Sequence, residues 1–256
     1  MLKEYISIYE VRVNMSRKPR IISESGMYHV IFRGNNKQNI FNDEQDYKKI
    51  KGIIKDIKEQ MSFEIYAYCL MTNHVHMLMR EKEPGDISLI IKKVLTRYAM
   101  WFNKKYQRSG GLFENRYKAM AVDDETYLYE VLRYIHSNPV AAGISAQIDE
   151  YPYSSYKEYF EQYPYILDKG FFMSMMSKSE FVDFHSREEI VVSRLEKVSD
   201  DELRNIIISK YGVAPKNIGL LNKEQIAEII RELEKFCSKR QIEKVTGITR
   251  WKMSKL

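Results

Sequence analysis

Five histidines occur in this 256-residue chain, and two of them stand one residue apart in Asn73-His74-Val75-His76. On a β-strand, positions i and i+2 share a face, so both imidazoles would point the same way while Val75 and Met77 turn to the opposite, packed face. Two aligned imidazoles can share one divalent metal ion, although the same spacing also occurs on strands that bind none. A site of that kind needs a third ligand and a group on which to act, and the stretch Asp123 to Asn138 offers both. At about 100° per residue on a helix, Tyr134 and Asn138 lie within about 40° of each other, whereas Leu128, Leu132 and Ile135 form a stripe to one side. The helix can pack by that stripe and still present a phenol beside an amide. Asn138 could then offer a carbonyl oxygen to a cation while Tyr134 approaches a phosphorus held by the same cation. The plainer alternative is that Tyr134 is one of nineteen tyrosines and Asn138 a helix cap before Pro139.

The surrounding elements follow from periodicity. Gly26 to Arg33 alternates and is rich in β-formers, and Gly34-Asn35-Asn36 ends it. Asp43 to Gln60 places Tyr47, Ile50, Ile54 and Ile57 at helical spacing. Phe63 to Met71 and His74 to Met79 read as a hairpin about Thr72-Asn73. Asp86 to Lys105 reads as a second helix, Tyr117 to Val122 as a short fourth strand, and Asp123 to Ser137 as a third helix that should stop near Asn138-Pro139. The resulting order predicts an α+β, ferredoxin-like antiparallel sheet with helices on one face, one working face, and an added helix carrying Tyr134. Short helices over Phe171 to Phe184 should pack back on that core. Asp201 to Tyr211 and Lys223 to Cys237 look helical, and Ser238 to Leu256 reads as helix, Thr246-Gly247 turn, helix from Thr249, which has helix-turn-helix character.

Composition narrows the partners. No apolar run approaches the roughly 18 residues of a membrane span, and Glu4 and Glu10 interrupt any secretory signal, so a cytoplasmic location is expected. Cys69 and Cys237 fit neither a disulfide framework nor a four-ligand zinc site and are expected to be packing residues. The net charge is +6 and is concentrated: residues 92–118 hold eight Lys or Arg against one acid, and residues 239–256 hold six against one. Tyr98, Trp101, Phe102, Tyr106 and Tyr117 are interleaved in the first of these stretches. Cations beside flat rings suit single-stranded nucleic acid, unless the rings turn inward and only a solvated basic face remains.

At three blocks the chain resembles a known family. Gly26-Met27-Tyr28-His29-Val30-Ile31-Phe32-Arg33-Gly34, then Asn73-His74-Val75-His76, then Arg133-Tyr134-Ile135-His136-Ser137-Asn138-Pro139-Val140, in that order, resemble the single-tyrosine HUH transposases of the IS200-like group, particularly the REP-associated tyrosine transposases. The likeness covers roughly Ser16 to Phe160. It implies that His74 and His76 are metal ligands for magnesium or manganese, that Tyr134 is the nucleophile, and that Asn138 is the third ligand, a position that varies among Gln, Asn and His in the family. Tyr117 is the rival nucleophile, ranked lower because a strand offers it no i+4 partner.

The resemblance further implies cleavage of single-stranded DNA beside an imperfect hairpin through a 5′-phosphotyrosine. The expected DNA contacts are Arg33, Lys92, Lys93, Arg97, Lys104, Lys105, Arg116 and Lys118 in the catalytic region, with Lys239, Arg240, Arg250 and Lys252 in the tail. The second helix is the expected grip on that DNA. The expected division is an extension over 1–15 with Met15 as the native start, a catalytic domain over 16–160, a helical connection over 161–198, and a DNA-binding tail over 199–256. A monomer is favoured over a homodimer. Competing readings are a non-cleaving DNA-binding regulator on the same scaffold, and a hydrolase whose histidines activate water without a covalent intermediate.

Overall fold

The computed structural model describes residues 22–186, 200–234, 237 and 239–255. The expected extension, with the choice of Met15 as start, lies outside the described residues, as does the later part of the 161–198 connection.

Four antiparallel strands, β1 (Met27–Arg33), β2 (Phe63–Leu70), β3 (His74–Glu81) and β4 (Lys118–Ala121), form one sheet in the order β2-β3-β1-β4. Helices α1 (Glu44–Gln60) and α2 (Asp86–Lys105) complete the ferredoxin-like order. Asp43 starts α1 through a reciprocal capping box with Asp46, which satisfies amide groups that the first turn cannot. The buried stripes Ile50, Ile54 and Ile57 on α1 and Ile90, Ile91 and Val94 on α2 then pack against Val30, Phe32, Val75 and Met77 on one face of the sheet. Gly34, which ends β1, is fixed by close approach, because a Cβ there would collide with the backbone carbonyl of Gln38.

The other face is not a bare working face. Helix α3 (Glu125–Ala141) lays Leu128, Val131, Leu132 and Ile135 over Ala67, Cys69, Leu78 and Val122, and a bulge between Ile65 and Ala67 sends both Tyr66 and Ala67 into the same layer. Helices α4 (Gly170–Met175) and α5 (Lys178–Ser186) add Phe172 and Phe181 to it. Met27, Tyr66, Ala67, Cys69 and Leu78 on this face would otherwise meet water, so it must also be covered. Cys69 and Cys237 are both free and buried, as packing residues would be.

Helix α3 also runs past the expected stop, with Pro139 inside it. A proline nitrogen carries no proton for the carbonyl of Ile135, but only Val140 and Ala141 remain in the helix beyond it. The lost bond is worth about 1 kcal/mol, against roughly 2 kcal/mol for each buried Leu or Ile of the stripe.

Toward the C-terminus, α6 (Asp200–Tyr211), α7 (Lys223–Glu234), α8 (Lys239–Thr246) and α9 (Arg250–Met253) share a separate core of Leu203, Ile207, Ile230, Leu233, Ile242 and Val245. Gly247, at φ 78°, turns the chain between α8 and α9. Thr249 caps α9 by accepting from the Lys252 amide. Among the described residues, no helix is long and apolar enough to cross a membrane.

Candidate active site

Strand alternation delivers the two histidines as the spacing predicts: Val75 and Met77 enter the α1–α2 core, while His74 and His76 face α3 with ring centroids 5.0 Å apart. His76 is fully buried and His74 half-buried. Each ring is oriented through its Nδ1. His74 Nδ1 lies 2.6 Å from Asn73 Oδ1, and the Asn73 amide nitrogen donates to Lys37 O at 3.3 Å, which fixes the amide's sense. An amide oxygen only accepts, so the proton of a neutral His74 sits on Nδ1 and the lone pair on Nε2.

His76 Nδ1 lies 3.1 Å from Nε2 of His29, a fully buried histidine on β1. The β1–β3 register pairs Ile31 with His76 and His29 with Leu78, so the two imidazoles meet diagonally on one sheet face. His29 stands in the first of the three blocks without a role that local spacing could give it. The available signal was its place in the series Met27, His29, Ile31, Arg33, which alternates onto the same face as the histidine pair once the strands are in register.

Tyr134 closes the site from α3. Its ring centroid stands 5.4 Å from that of His76 and 5.8 Å from that of His29, edge-on to both. Asn138, buried one turn later, donates its amide nitrogen to Tyr134 O at 3.1 Å, which directs its oxygen elsewhere. Tyr117, by contrast, turns to the opposite side of the sheet, packs on the α1–α2 core and donates toward Ser88 Oγ at 3.2 Å.

The predicted DNA contacts separate into groups. Arg33 is the cross-strand partner of His74, and exposed Lys118 is paired with Ile31, which puts both side chains on the histidine face, with exposed Arg116 leading into β4. Lys92, Lys93, Arg97 and Lys104 belong to α2, on the opposite face of the sheet from Tyr134. Lys105 is bound at 2.7 Å to both Asp43 and Asp46, so its charge is already compensated inside the protein. Two of the five rings interleaved with the basic residues are lost to that role: Tyr98 and Phe102 are buried in the core, while Trp101, Tyr106 and Tyr117 pack against its edge. Tyr98 and Phe102 have no ring face left for a base, whereas Trp101, Tyr106 and Tyr117 stay half-buried. In the tail, Lys239 pairs with Glu234 and Arg250 with Glu243, while Arg240 and Lys252 are exposed.

Among the described residues, no three His, Cys, Asp or Glu side chains assemble as a metal-binding group. A cation held by His74 and His76 therefore needs a ligand of another type. The donor chemistry is suitable: both ring Nδ1 atoms are engaged by orienting partners, the arrangement that presents Nε2 lone pairs to a metal.

Residues 23–138 match the family model for IS200-like transposases. A Haemophilus influenzae protein assigned as a REP-associated tyrosine transposase is 28% identical over 155 residues, spanning 56% of this chain and 86% of that one. Among solved structures, a REP-associated tyrosine transposase bound to a REP hairpin aligns with a TM-score of 0.49 at 20% identity, over 59% of this chain and 90% of that chain. A Deinococcus radiodurans protein assigned as a transposase aligns at 0.34 and 22%, over 47% and 96%. Over residues 23–138 this chain is thus similar to the IS200-like transposases.

Proposed function

We propose that the chain is a metal-dependent single-strand DNA endonuclease and transesterase that cuts beside hairpin DNA through a covalent 5′-phosphotyrosine at Tyr134. The observation that carries the reading is the approach of the Tyr134 ring to His76 and His29 from a separate helix, at 5.4 and 5.8 Å. A phenol set against an oriented histidine pair is the minimum such a reaction needs, and the family name of the Haemophilus influenzae relative, a tyrosine transposase, supports the same assignment.

His74 and His76 would hold the cation through their Nε2 atoms, with the Asn138 amide oxygen as third ligand. Magnesium or manganese bound there would polarise a non-bridging phosphate oxygen and offset charge as it develops. Arg33, next to His74 across the β1–β3 pair, would add a guanidinium to the same phosphate. The phenol of Tyr134 loses its proton to solvent or a neighbouring base, and its oxygen bonds to phosphorus. The bond from phosphorus to the 3′ oxygen breaks, and that oxygen leaves as a 3′-hydroxyl after taking up a proton. The phosphotyrosine keeps the bond energy, so a second 3′-hydroxyl can reverse the step. The working unit in this reading is a monomer. The tail would add affinity for duplex or hairpin DNA and would take no part in cleavage.

Incubation with manganese and a hairpin-flanked single strand, followed by a denaturing gel, tests the reading. A covalent band is expected from the wild type and none from Tyr134→Phe, which removes only the nucleophilic oxygen and should still bind manganese and DNA. His74→Ala and His76→Ala should lose metal binding and cleavage together, and Asn138→Ala should weaken both. Cut DNA without an adduct would establish the hydrolase instead, and bound but uncut DNA the regulator.

A further inference from the structure

Two residues beyond Tyr134, the opposite side of α3 carries His136, turned by about 200° from the phenol. It has no exposed surface and ends up in the middle of a chain of buried hydrogen bonds. His136 Nδ1 lies 2.8 Å from His185 Nε2, and His136 Nε2 lies 2.8 Å from Ser155 Oγ. His185 Nδ1 lies 2.8 Å from the carbonyl of Phe181, and the amide of Tyr68 on β2 donates to Ser155 Oγ at 2.8 Å.

The two backbone ends fix every proton between them. Phe181 O can only accept, so His185 Nδ1 donates, and neutral His185 accepts at Nε2 from His136 Nδ1. Neutral His136 then accepts at Nε2 from the Ser155 hydroxyl, whose oxygen accepts in turn from the Tyr68 amide. Burial holds both histidines in this neutral state, with His185 pushed down to about 4 and His136 well below the ordinary range. Protonating His185 would set its Nε2 donor against the His136 Nδ1 donor, and protonating His136 would force the Ser155 hydroxyl to turn its proton away. Tyr156, Tyr159 and Phe181 pack edge-on around His136, so no alternative partner can replace a lost one cheaply.

Taken together, these bonds tie α3 to the sheet on one side and to α5 on the other. A helix held only by its apolar stripe can rotate or slide by a fraction of a residue at little cost, whereas a directional bond on each side sets both its rotation and its height. We infer that Ser155, His136 and His185 form a positioning relay that aims Tyr134 at His76. His185 lies beyond residues 23–138, so the helix α5 it occupies is part of the working enzyme and not a passive appendage to the family domain. The inference rests on Tyr134 as the acting residue, but the placement of its ring can be read without any reaction.

The test is fluorine NMR on the full chain with 3-fluorotyrosine placed at position 134 alone. The wild type should give one resonance, set by the rings of His76 and His29. His185→Leu, which keeps the bulk but removes both bonds, should split or broaden it, with the original signal losing most of its intensity. His185→Gln, which can still accept from His136, should restore it. Ser155→Ala should act like His185→Leu and supplies the answer if the leucine variant fails to fold. As a stability control, Ile54→Ala weakens the core on the far face of the sheet and should lower the melting temperature while leaving the resonance in place. An unchanged resonance in a destabilised but folded His185→Leu or Ser155→Ala overturns the relay, as does an equal disturbance in Ile54→Ala. Where the wild type forms a covalent adduct, His185→Leu should slow it about 100-fold at unchanged DNA affinity, the cost of roughly 1 Å of misplacement. Absence of any wild-type adduct counts against the proposed reaction and leaves the fluorine result standing.

Discussion

His29 and His76 meet across the β1–β3 pair, Nε2 to Nδ1 at 3.1 Å, with no exposed surface on either ring. One of the two nitrogens must donate, and a metal at His76 Nε2 requires that His76 be the donor and His29 the acceptor. With a metal bound there, His29 would set the tautomer of His76 as well as its angle. His29→Phe should fold, because the site is otherwise lined by packed side chains, yet manganese affinity should fall about 10–100-fold. His29→Gln can still accept and should recover much of the loss. Calorimetric titration with manganese measures both, and equal affinity in wild type and His29→Phe would remove His29 from the site.

The histidine pair and the Tyr134–Asn138 pair were legible in the sequence because each is local: period two on a strand and period 3.6 on a helix place their members without knowledge of the rest. Strand order was legible for a similar reason, since short turns and two helical crossovers leave few topologies. The His29–His76 contact was not, because it depends on a diagonal step in a register that no single strand encodes. The His136–His185 bond spans 49 residues and two elements whose packing no periodicity specifies. The aromatics of α2 misled because a ring beside lysines looks the same in sequence whether it faces a base or an isoleucine. Pro139 misled because a proline two residues from the helix end costs little beside the packing of Leu128, Leu132 and Ile135.

On the proposed reading, DNA runs over the sheet face that carries His74 and His76. Arg33 and Lys118 share the face of His74 and His76, whereas Lys92 and Arg97 lie across the sheet. Arg33→Ala and Lys118→Ala should each weaken single-strand binding and lower the slope of log K against log salt by nearly one unit. The double variant Lys92→Ala with Arg97→Ala should leave cleavage near the wild-type rate. A larger loss from the α2 pair than from the two rim residues would mean that DNA wraps to the far side of the sheet.

Acid should loosen the molecule earlier than its carboxylates alone would. His136 and His185 have folded pKa values below the ordinary 6.5, chiefly through burial, with the charge of Arg133 adding to the effect on His185. The unfolded chain then binds more protons between the folded and unfolded values, so stability is full above about pH 6.5 and falls progressively as pH drops toward about 4. For His185 alone the loss across that window is on the order of 3 kcal/mol. Urea midpoints at a series of pH values from 7.5 to about 5, above most carboxylate titrations, should decline in the wild type and decline less in His185→Leu. A flat wild-type profile would show that the pair is not buried in the neutral state.

The tail calls for surface substitutions. Cutting the chain after Cys237 would strip Ile242, Val245, Ile248 and Met253 from the core that α6 and α7 depend on, so lost binding would report unfolding as readily as lost contacts. Arg240 and Lys252 are exposed, and Lys252 borders a shallow groove of about 420 Å³ shared with Lys216, Lys244 and Thr249. Lys239 and Arg250 already pair with Glu234 and Glu243, which reduces what they offer a phosphate. Arg240→Ala with Lys252→Ala should therefore keep the melting temperature, weaken hairpin binding, and flatten its salt dependence by up to about two units of slope. The rate of adduct formation at saturating DNA should not change, because neither side chain belongs to the site around Tyr134. If affinity and slope both match the wild type, the tail is a structural helical unit, and the DNA grip must be sought entirely at the rim beside His74.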